Sequence, residues 1–212
     1  MNSKIQIKIC GINSNQSAEA CNGADFVGFV FYQKSPRFVT AFEAKEISKY
    51  LQTNLKKVGL FVNSEINLIK HISEFVNLDI IQLHGTETIK NIQQVKIATK
   101  KPIIKAIPIS NKTDIINSKK IEEVCDMILF DSKTNIGISG GTGIPFDWNL
   151  LKNLKLKKKW LLAGGLNINN IESALSITNA PVIDISSGVE IKKGIKCEKK
   201  IKNLINYIKN EN

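Results

Sequence analysis

Short, almost continuous apolar runs recur along the whole chain, and their spacing is the feature that most restricts its fold. Each run spans four to six residues and is mostly apolar, a pattern typical of a strand buried on both faces. Segments with the helical spacing of apolar residues separate many of these runs. The sequence therefore predicts eight strands, at residues 5–9, 26–31, 57–61, 79–83, 102–107, 127–130, 160–163 and 182–185.

Helix signals follow several of the predicted strands. Thr40 precedes AFEAKEISKYL and has Glu43 three residues later, which is a capping box. Ser64 is a second candidate N-cap, and NINNIESALSI and KKIKNLINYIK also have helical spacing. This alternation predicts parallel α/β units, and their number favours a single (β/α)8 TIM barrel over residues 1–212. A doubly wound sheet is the alternative, although it usually contains fewer strands.

The composition is that of an ordinary globular protein, with 42% hydrophobic and 23% charged residues. The longest apolar runs are far shorter than the roughly 20 residues that cross a bilayer. The N-terminus also lacks the apolar stretch of a secretory signal, so a cytoplasmic protein is expected. Four cysteines without a CxxC pair, together with only two histidines, argue against a zinc site and against a disulfide framework.

The formal net charge of +11 allows two interpretations. A basic surface would suit nucleic acid or a membrane, whereas a lysine-biased composition would need no such partner. The second interpretation is favoured, because the lysines are scattered and lack the interleaved aromatic residues of a stacking platform. The expected partner is therefore a small molecule.

In a (β/α)8 barrel, functional residues lie at the carboxyl ends of the strands. Polar or small residues follow every predicted strand except the fifth, which continues into Ile107 and Pro108. The residues at the other strand ends are Cys10 and Gly11, the loop YQKSPRF with Arg37, Asn63, His84, Asp131, Gly164 and Gly165, and finally Asp184, Ser186, Ser187 and Gly188.

The glycine-containing loops after the seventh and eighth strands predict a phosphate site, because glycine lets backbone N–H groups approach an anion. The predicted ligand is a small phosphorylated metabolite. Residues 138–148, ISGGTGIPFDW, predict a mobile lid after strand six that includes Gly141, with Asp147 capping the next helix. A nucleotide P-loop is excluded, since no GK[ST] follows these glycines.

The residues alone leave the chemistry of the strand ends open. Asp131 is a candidate general acid, but a carboxylate there can equally cap a helix or form an ion pair. Cys10 is a candidate catalytic group, although buried cysteine is more often inert packing. His84 is either a base or a residue that orients its loop, and Asn63 and Asp184 are similarly open.

Taken together, the strand ends resemble the phosphoribosylanthranilate isomerase family, enzymes of tryptophan biosynthesis with a (β/α)8 barrel. The resemblance runs in order over nearly the whole chain, and KICG, the P-R-F loop, QLHG and DISSGVE are its most specific motifs. The matching segments are KICG at 8–11, GADFVGFVFYQKSPRFV at 23–39, LFVN at 60–63, IQLHG at 81–85, LFDSK at 129–133, GGTGIPFDW at 140–148, AGGL at 163–166 and DISSGVE at 184–190.

This resemblance implies an Amadori rearrangement. N-(5-phosphoribosyl)anthranilate, an aminoaldose, becomes 1-(2-carboxyphenylamino)-1-deoxyribulose 5-phosphate, an aminoketose. Cys10 is implied as the general base, with a depressed thiol pKa, and Asp131 as the general acid, with neither metal nor cofactor. The substrate-binding residues implied by the resemblance are Arg37, His84, Gly141, Gly164, Gly165, Asp184, Ser187 and Gly188.

Arg37 is the only arginine in a chain whose other basic residues are all lysine. Compositional bias does not account for it, so the position is expected to need a guanidinium. A guanidinium pairs with a carboxylate through two parallel hydrogen bonds, and the anthranilate ring carries such a carboxylate. The alternative is a surface salt bridge in which lysine would serve as well.

Other functions remain as alternatives. A different phosphosugar barrel is one of them, either a histidine-pathway aminoaldose isomerase, which typically uses two aspartates, or a pentose-phosphate epimerase, which usually needs metal ligands. A non-catalytic basic protein that binds nucleic acid is another, and it predicts a contiguous lysine face. The absence of an exposed apolar stripe in the sequence pattern leads us to expect a monomer.

Overall fold

Eight parallel strands close into a barrel in chain order, in a computed structural model that describes residues 5–132 and 146–210. Closure is made by β1, which pairs with β2 on one side and with β8 on the other. The predicted (β/α)8 barrel is therefore confirmed. The strands are β1 Gln6–Cys10, β2 Phe26–Val30, β3 Lys56–Phe61, β4 Ile80–Leu83, β5 Ile103–Ile109, β6 Met127–Ser132, β7 Trp160–Leu162 and β8 Val182–Ile185.

All eight predicted strands are present, and each boundary lies within two residues of its predicted position. The predicted and observed strands agree because burial on both faces makes each strand a nearly continuous apolar run. A short antiparallel hairpin, β9 Glu190–Lys192 and β10 Ile195–Lys196, follows the barrel and was not predicted.

Seven α-helices occur in the described part of the chain, and they alternate with the strands. Three of them, α1, α4 and α5, were not predicted. The helices are α1 Asn15–Ala20, α2 Ala41–Ser48, α3 Ile66–Val76, α4 Ile89–Thr99, α5 Lys112–Glu122, α6 Ile171–Thr178 and α7 Glu198–Asn210. Within the described ranges, no helix is both long enough and apolar enough to span a membrane.

The helix caps test three predictions. The capping box of Thr40 and Glu43 is confirmed at the start of α2. Asp147 does cap the next helical segment, but that segment is a 3-10 helix, Trp148–Leu151. The assignment of Ser64 as an N-cap is wrong: Glu65 keeps an extended backbone and is the N-cap of α3, so the helix begins one residue later than a Ser64 cap requires.

Alternate residues of each strand face opposite sides of the barrel wall. On β1, Ile7 and Ile9 join the large apolar cluster between strands and helices. Lys8 and Cys10 therefore face the barrel interior, which is otherwise filled by a separate apolar cluster that includes Phe26. The interior is closed by packing at its centre, and side chains at the carboxyl ends of the strands form its open mouth.

Candidate active site

A cavity opens at the carboxyl ends of the barrel strands and is lined by most of the predicted site residues. Closure of the barrel brings together groups from six strand ends that are far apart in sequence. The predicted residues in its lining are Cys10, Arg37, His84, Asp131, Gly164, Gly165, Asp184 and Ser187. Gln82 and Ser186 also line the cavity, although neither was among the predicted binding residues. Ser186 was noted only as a polar residue at the end of strand eight.

Three predicted residues have a different placement. Gly141 and most of the predicted lid, residues 138–145, lie outside the described residues. Gly188 lines an adjoining cavity with Ser187 and Asn167, and a Cβ at Gly188 would collide with the carbonyl oxygen of Leu166. Asn63 does not line the cavity at the strand ends.

The Asn63 side chain instead joins two neighbouring loops. Its Oδ1 accepts hydrogen bonds from the backbone N–H of Thr86 at 2.8 Å and from the Thr86 hydroxyl at 3.2 Å. Asn63 adopts a positive φ of 48°, which asparagine tolerates better than most residues. This residue therefore orders the loops after β3 and β4.

Cys10 ends β1 and is only 6% exposed. Its neighbour in the sheet is Gly28 on β2, where an added Cβ would lie 2.9 Å from the Cys10 Sγ. Glycine at this position therefore leaves room for the thiol. Burial raises the pKa of Cys10, and the nearby Asp184 carboxylate raises it further, whereas Lys8 and Lys196 act in the opposite direction. The expected depression of this pKa is thus wrong for the substrate-free protein, because desolvation outweighs the two lysines.

Asp131 lies on β6, with β7 and β8 separating it from Cys10 around the barrel. The backbone N–H of Ser132 donates to Asp131 Oδ1 at 2.8 Å, and His84 Nε2 lies 3.3 Å from Oδ2. The two candidate catalytic groups therefore enter the cavity from different sides of its mouth.

His84 lies between Gln82 and Asp131. The Gln82 side-chain amide forms a hydrogen bond with His84 Nδ1 at 3.0 Å, and His84 Nε2 lies 3.3 Å from Asp131 Oδ2. Gln82 and Asp131 therefore fix the orientation of the imidazole ring between them.

A buried ion pair lies directly beneath Cys10. Lys8 is fully buried, and its Nζ donates to Asp184 Oδ2 at 2.9 Å. Burial lowers the pKa of Lys8, but the charges of Asp184 and Cys10 outweigh it and the net direction is upward. The sequence signal for this pair was a lysine between two isoleucines of β1, two residues from Cys10 and on the same face.

Arg37 also has a partner that the sequence did not indicate. Its Nε and Nη2 donate to the two carboxylate oxygens of Glu190, at 2.6 and 2.9 Å. Both side chains are less than 10% exposed, so the ion pair is buried and is not the surface salt bridge considered as the alternative. Glu190 does not engage Nη1, and Arg37 still lines the cavity.

Lys196 completes this second charged cluster. Its Nζ donates to Glu190 Oε1 at 2.8 Å and to the backbone carbonyl of Ser186 at 2.9 Å. The Ser186 hydroxyl in turn donates to the carbonyl oxygen of Cys10 at 3.0 Å. Burial raises the pKa of Glu190, yet Arg37 and Lys196 outweigh it and hold that pKa below its ordinary value. One negative charge against two positive charges leaves this side of the cavity suited to an anion.

The loops after β7 and β8 meet at the remaining side of the cavity. Gly164 and Gly165 have positive φ angles of 87° and 67°, which glycine adopts readily. A Cβ at Gly164 would lie 2.8 Å from the backbone nitrogen of Ser132 and 3.2 Å from Asp131 Oδ1. The first of these glycines therefore allows the β7 loop to approach Asp131 closely. Among the described residues, no group of three or more His, Cys, Asp or Glu side chains could hold a metal ion.

Comparison with known proteins agrees with this geometry. The family model described as N-(5'phosphoribosyl)anthranilate (PRA) isomerase matches residues 7–207. A curated relative from Paracoccus denitrificans (strain Pd 1222), named N-(5'-phosphoribosyl)anthranilate isomerase, is 40% identical over 205 residues, covering 95% of each chain.

Solved structures show the same similarity. The phosphoribosyl anthranilate isomerase of Thermotoga maritima is 38% identical, with a TM-score of 0.85 over 97% of this chain and 99% of that one. Another structure of such an isomerase, in complex with reduced 1-(o-carboxyphenylamino)-1-deoxyribulose 5-phosphate, is 35% identical, with a TM-score of 0.82 over 97% of this chain and 99% of that one. From the sequence match and the shared barrel we conclude that the chain belongs to the N-(5'-phosphoribosyl)anthranilate isomerase family.

Proposed function

We propose that this protein catalyses the Amadori rearrangement of N-(5'-phosphoribosyl)anthranilate to 1-(2-carboxyphenylamino)-1-deoxyribulose 5-phosphate in tryptophan biosynthesis. The observation that carries this proposal is the placement of Cys10 and Asp131 in one cavity, on strands separated around the barrel mouth. The reaction needs one group to protonate the ring oxygen and another to remove the C2' proton. Two groups that approach from different sides meet that requirement.

Asp131 is the proposed general acid. It donates a proton to the furanose ring oxygen, the bond from C1' to that oxygen breaks, and the nitrogen lone pair forms an iminium. The Ser132 N–H, which donates to Asp131 Oδ1 at 2.8 Å, would stabilise the carboxylate left behind, and His84 Nε2 lies 3.3 Å from its other oxygen.

Cys10 is the proposed general base. As a thiolate it removes the C2' proton, and the C–H bonding electrons move toward the iminium carbon to give an enolamine. Tautomerisation of the enolamine then yields the ketone. The iminium is the electron sink, so these steps need no other group to accept electrons. The raised pKa of the buried thiol in the free protein means that thiolate formation depends on the nearby lysines.

The remaining residues are proposed to hold the substrate. Backbone N–H groups of Gly164, Gly165, Ser187 and Gly188 would bind the phosphate, which the close approach of the two loops supports. Arg37 would bind the anthranilate carboxylate through the part of its guanidinium that Glu190 does not use.

Two further side chains complete the proposed binding site. The Oδ1 atom of Asp184 is buried and has no hydrogen-bond partner among the described residues, which supports its pairing with a substrate hydroxyl. His84 would hold Asp131 in place, as its 3.3 Å contact indicates.

The direct test is consumption of synthetic N-(5'-phosphoribosyl)anthranilate, followed by loss of its fluorescence. The purified protein is expected to consume this substrate and to leave a histidine-pathway aminoaldose largely unconverted, since that chemistry typically uses two aspartates. Failure to consume the first substrate under conditions where a known family member is active would contradict the proposal. Preference for the second substrate would favour the alternative phosphosugar isomerase.

The protein is also proposed to act as a monomer in the cytoplasm. The most exposed large apolar side chains lie on three different helices and on β9, and isolated residues of this kind need no partner; they are Phe42, Ile97, Ile116 and Ile191. Mass measurement by light scattering would show 23.6 kDa for a monomer, and twice that mass would contradict it.

A base that is a free thiol suits a reducing compartment, which supports the cytoplasmic location. We expect no nucleic-acid or membrane partner.

A further inference from the structure

The Lys8–Asp184 ion pair is placed by the register of two strands. Lys8 on β1 and Asp184 on β8 are direct partners in the sheet, so their side chains emerge on the same face. Cys10 is two residues after Lys8 and shares that face. The ammonium, the carboxylate and the thiol therefore form one compact group inside the barrel, with a Lys8–Asp184 distance of 2.9 Å.

Stability gives a poor account of a lysine at this position. Lys8 has no exposed surface, and the neighbouring interior positions, including Phe26, Val58 and Ile104, are apolar. Taking two charges out of water is costly, and well-packed apolar residues often replace such a pair at no loss of stability. The barrel interior offers an apolar environment in which a hydrophobic side chain would pack. The charge therefore calls for a functional explanation.

We propose that Lys8 is a positioning residue whose positive charge stabilises the Cys10 thiolate from inside the barrel. Asp184 holds the Lys8 ammonium in place, and its negative charge offsets part of that stabilisation. This inference rests on the proposed function only for the role of Cys10 as the base. Lys8 acts through Cys10, because it does not line the cavity where substrate is expected to bind. A charge beneath the thiol stabilises the thiolate without occupying substrate space.

The charges around Cys10 support this division of roles. Lys8 comes from the same strand, Asp184 from β8 and Lys196 from β10, while Arg37, His84 and Asp131 line the cavity beyond the thiol. Burial raises the pKa of Cys10, and Lys8 is the strongest influence in the opposite direction. Lys196 also opposes the rise, but its Nζ is bonded to Glu190 and Ser186. The pKa of Lys8 itself is raised by Asp184 and Cys10 despite burial, so its charge persists.

The test is the rate at which iodoacetamide alkylates Cys10 in the absence of substrate, measured on the Cys10 peptide by mass spectrometry. Below the thiol pKa, this rate follows the thiolate fraction, and a change of about one pKa unit corresponds to about tenfold. Lys8→Met, which keeps an unbranched side chain one heavy atom shorter and removes the charge, is expected to slow alkylation about tenfold. Asp184→Asn, which removes the opposing negative charge, is expected to accelerate it.

The opposite signs distinguish an electrostatic role from a structural one. Loosening of the barrel would expose Cys10 and accelerate alkylation in both variants. Lys105→Met is a matched control, because Lys105 is also buried and ion-paired, to Glu87 at 2.7 Å, but on the helix side of the barrel. Its loss should leave the Cys10 alkylation rate within about twofold of the parent rate.

A double variant keeps the test decisive if Lys8→Met fails to fold. Lys8→Met/Asp184→Asn has no unpaired buried charge, and it is expected to react about tenfold more slowly than Asp184→Asn alone. The proposal would be overturned if Lys8→Met left the alkylation rate of Cys10 unchanged both in the parent protein and in the Asp184→Asn variant. Because no substrate is present, that result is distinct from failure of the proposed function, which would appear as absent turnover by the unmodified protein.

Discussion

Single substitutions can separate the proposed roles of Cys10 and Asp131. The Cys10 thiol lies in a buried site beside two lysines, where a serine hydroxyl of similar shape would stay protonated. Cys10→Ser is therefore expected to lower kcat by about 100-fold or more with little change in KM. Stopped-time assays of substrate fluorescence would measure both constants. A variant that keeps a tenth of the parent kcat would remove Cys10 as the base.

Asp131→Asn tests the proposed acid in the same assay. Asparagine preserves the shape and can still contact Ser132 and His84, but it has no proton to donate at neutral pH. We expect a loss in kcat of about 100-fold to 10,000-fold, the range typical of general acid catalysis. Near-normal kcat with an altered KM would instead show that Asp131 only binds the substrate.

Arg37 has one observed and one proposed reason to be arginine. The planar fork pairs with Glu190 through two hydrogen bonds, and it is also proposed to pair with the substrate carboxylate. Arg37→Lys is expected to lower kcat/KM tenfold or more, because each charge-assisted hydrogen bond is worth about 1.5–3 kcal/mol.

A substrate analogue without the carboxylate decides whether that loss involves the substrate. If Arg37 binds the carboxylate, the analogue should bind the parent protein weakly and lose little more on Arg37→Lys. Independent, additive losses would mean that the arginine serves Glu190 alone. The comparison thus separates the substrate contact from the internal ion pair.

Among the elements, the β9–β10 hairpin secures the loop that carries Arg37. Gly194 in its turn donates to Glu190 Oε2 at 3.1 Å, and its carbonyl accepts from the Asn13 side chain at 2.8 Å. A Cβ at Gly194 would contact the carbonyl oxygen of Pro36, so the turn packs directly on the Arg37 loop. The hairpin therefore links the β2 loop to the segment after β8.

Glu190→Gln should weaken this link. Breaking a buried ion pair by neutralising one partner typically costs about 3–5 kcal/mol, here with Arg37 and Lys196 left without their counter-charge. Chemical denaturation would measure the loss in the free energy of unfolding, and the KM should rise as Arg37 is freed. Glu46→Gln is the matched control, since its ion pair with Lys49 is exposed and is expected to contribute less than about 1 kcal/mol.

Glu190→Gln should also change how the stability of the protein depends on pH. The pKa of Glu190 is lower in the folded protein than its ordinary value, so ionised Glu190 stabilises the folded state above the ordinary carboxyl pKa. That contribution is lost as the pH falls through the lower, folded-state pKa. Glu190→Gln should therefore reduce stability at neutral pH and lose less on acidification than the parent protein. Equal acid sensitivity of the two proteins would contradict the assigned ion pair.

Three helices were missed because their caps use less familiar residues. The helices α1, α4 and α5 all begin with capping boxes, closed by Ser17, Asn91 and Asp114 at the third helical position. The usual sequence signature requires Glu or Gln there, as Glu43 provides in α2. The geometry of the box depends on a side-chain acceptor, and shorter acceptors satisfy it here.

At the scale of the whole molecule, the proposed phosphate site depends on the pairing of β7 with β8. The loops after β7 and β8 are adjacent in the sheet, and together they present small residues to the cavity. Gly165→Val is expected to raise KM at least tenfold, because φ is 67° and a branched side chain would strain the loop and fill the proposed phosphate space. Kinetics with added sulfate would then show weaker competitive inhibition than in the parent protein.

Ser187→Ala is the control for this prediction. It retains the backbone N–H that is proposed to bind the phosphate, so its KM should stay within about threefold of the parent value. If Gly165→Val binds substrate normally and sulfate does not compete in either protein, the phosphate binds elsewhere in the cavity.

The sequence by itself determined the barrel and the list of groups at its mouth. Burial on both faces makes each strand a continuous apolar run, and eight such runs in order leave few folds to choose from. Because parallel strands end at one edge, the positions of Cys10, His84 and Asp131 after their strands are enough to assign them to one site. These features are local or follow from strand direction alone.

Only the tertiary structure decided how those groups are paired. Lys8 meets Asp184 across 176 residues of chain, and Arg37 meets Glu190 across 153. Such contacts depend on strand register, barrel closure and the path of the β9–β10 hairpin, none of which leaves a local pattern. The direction of the Cys10 pKa shift likewise depends on the balance between burial and nearby charges, which is a property of the packed interior.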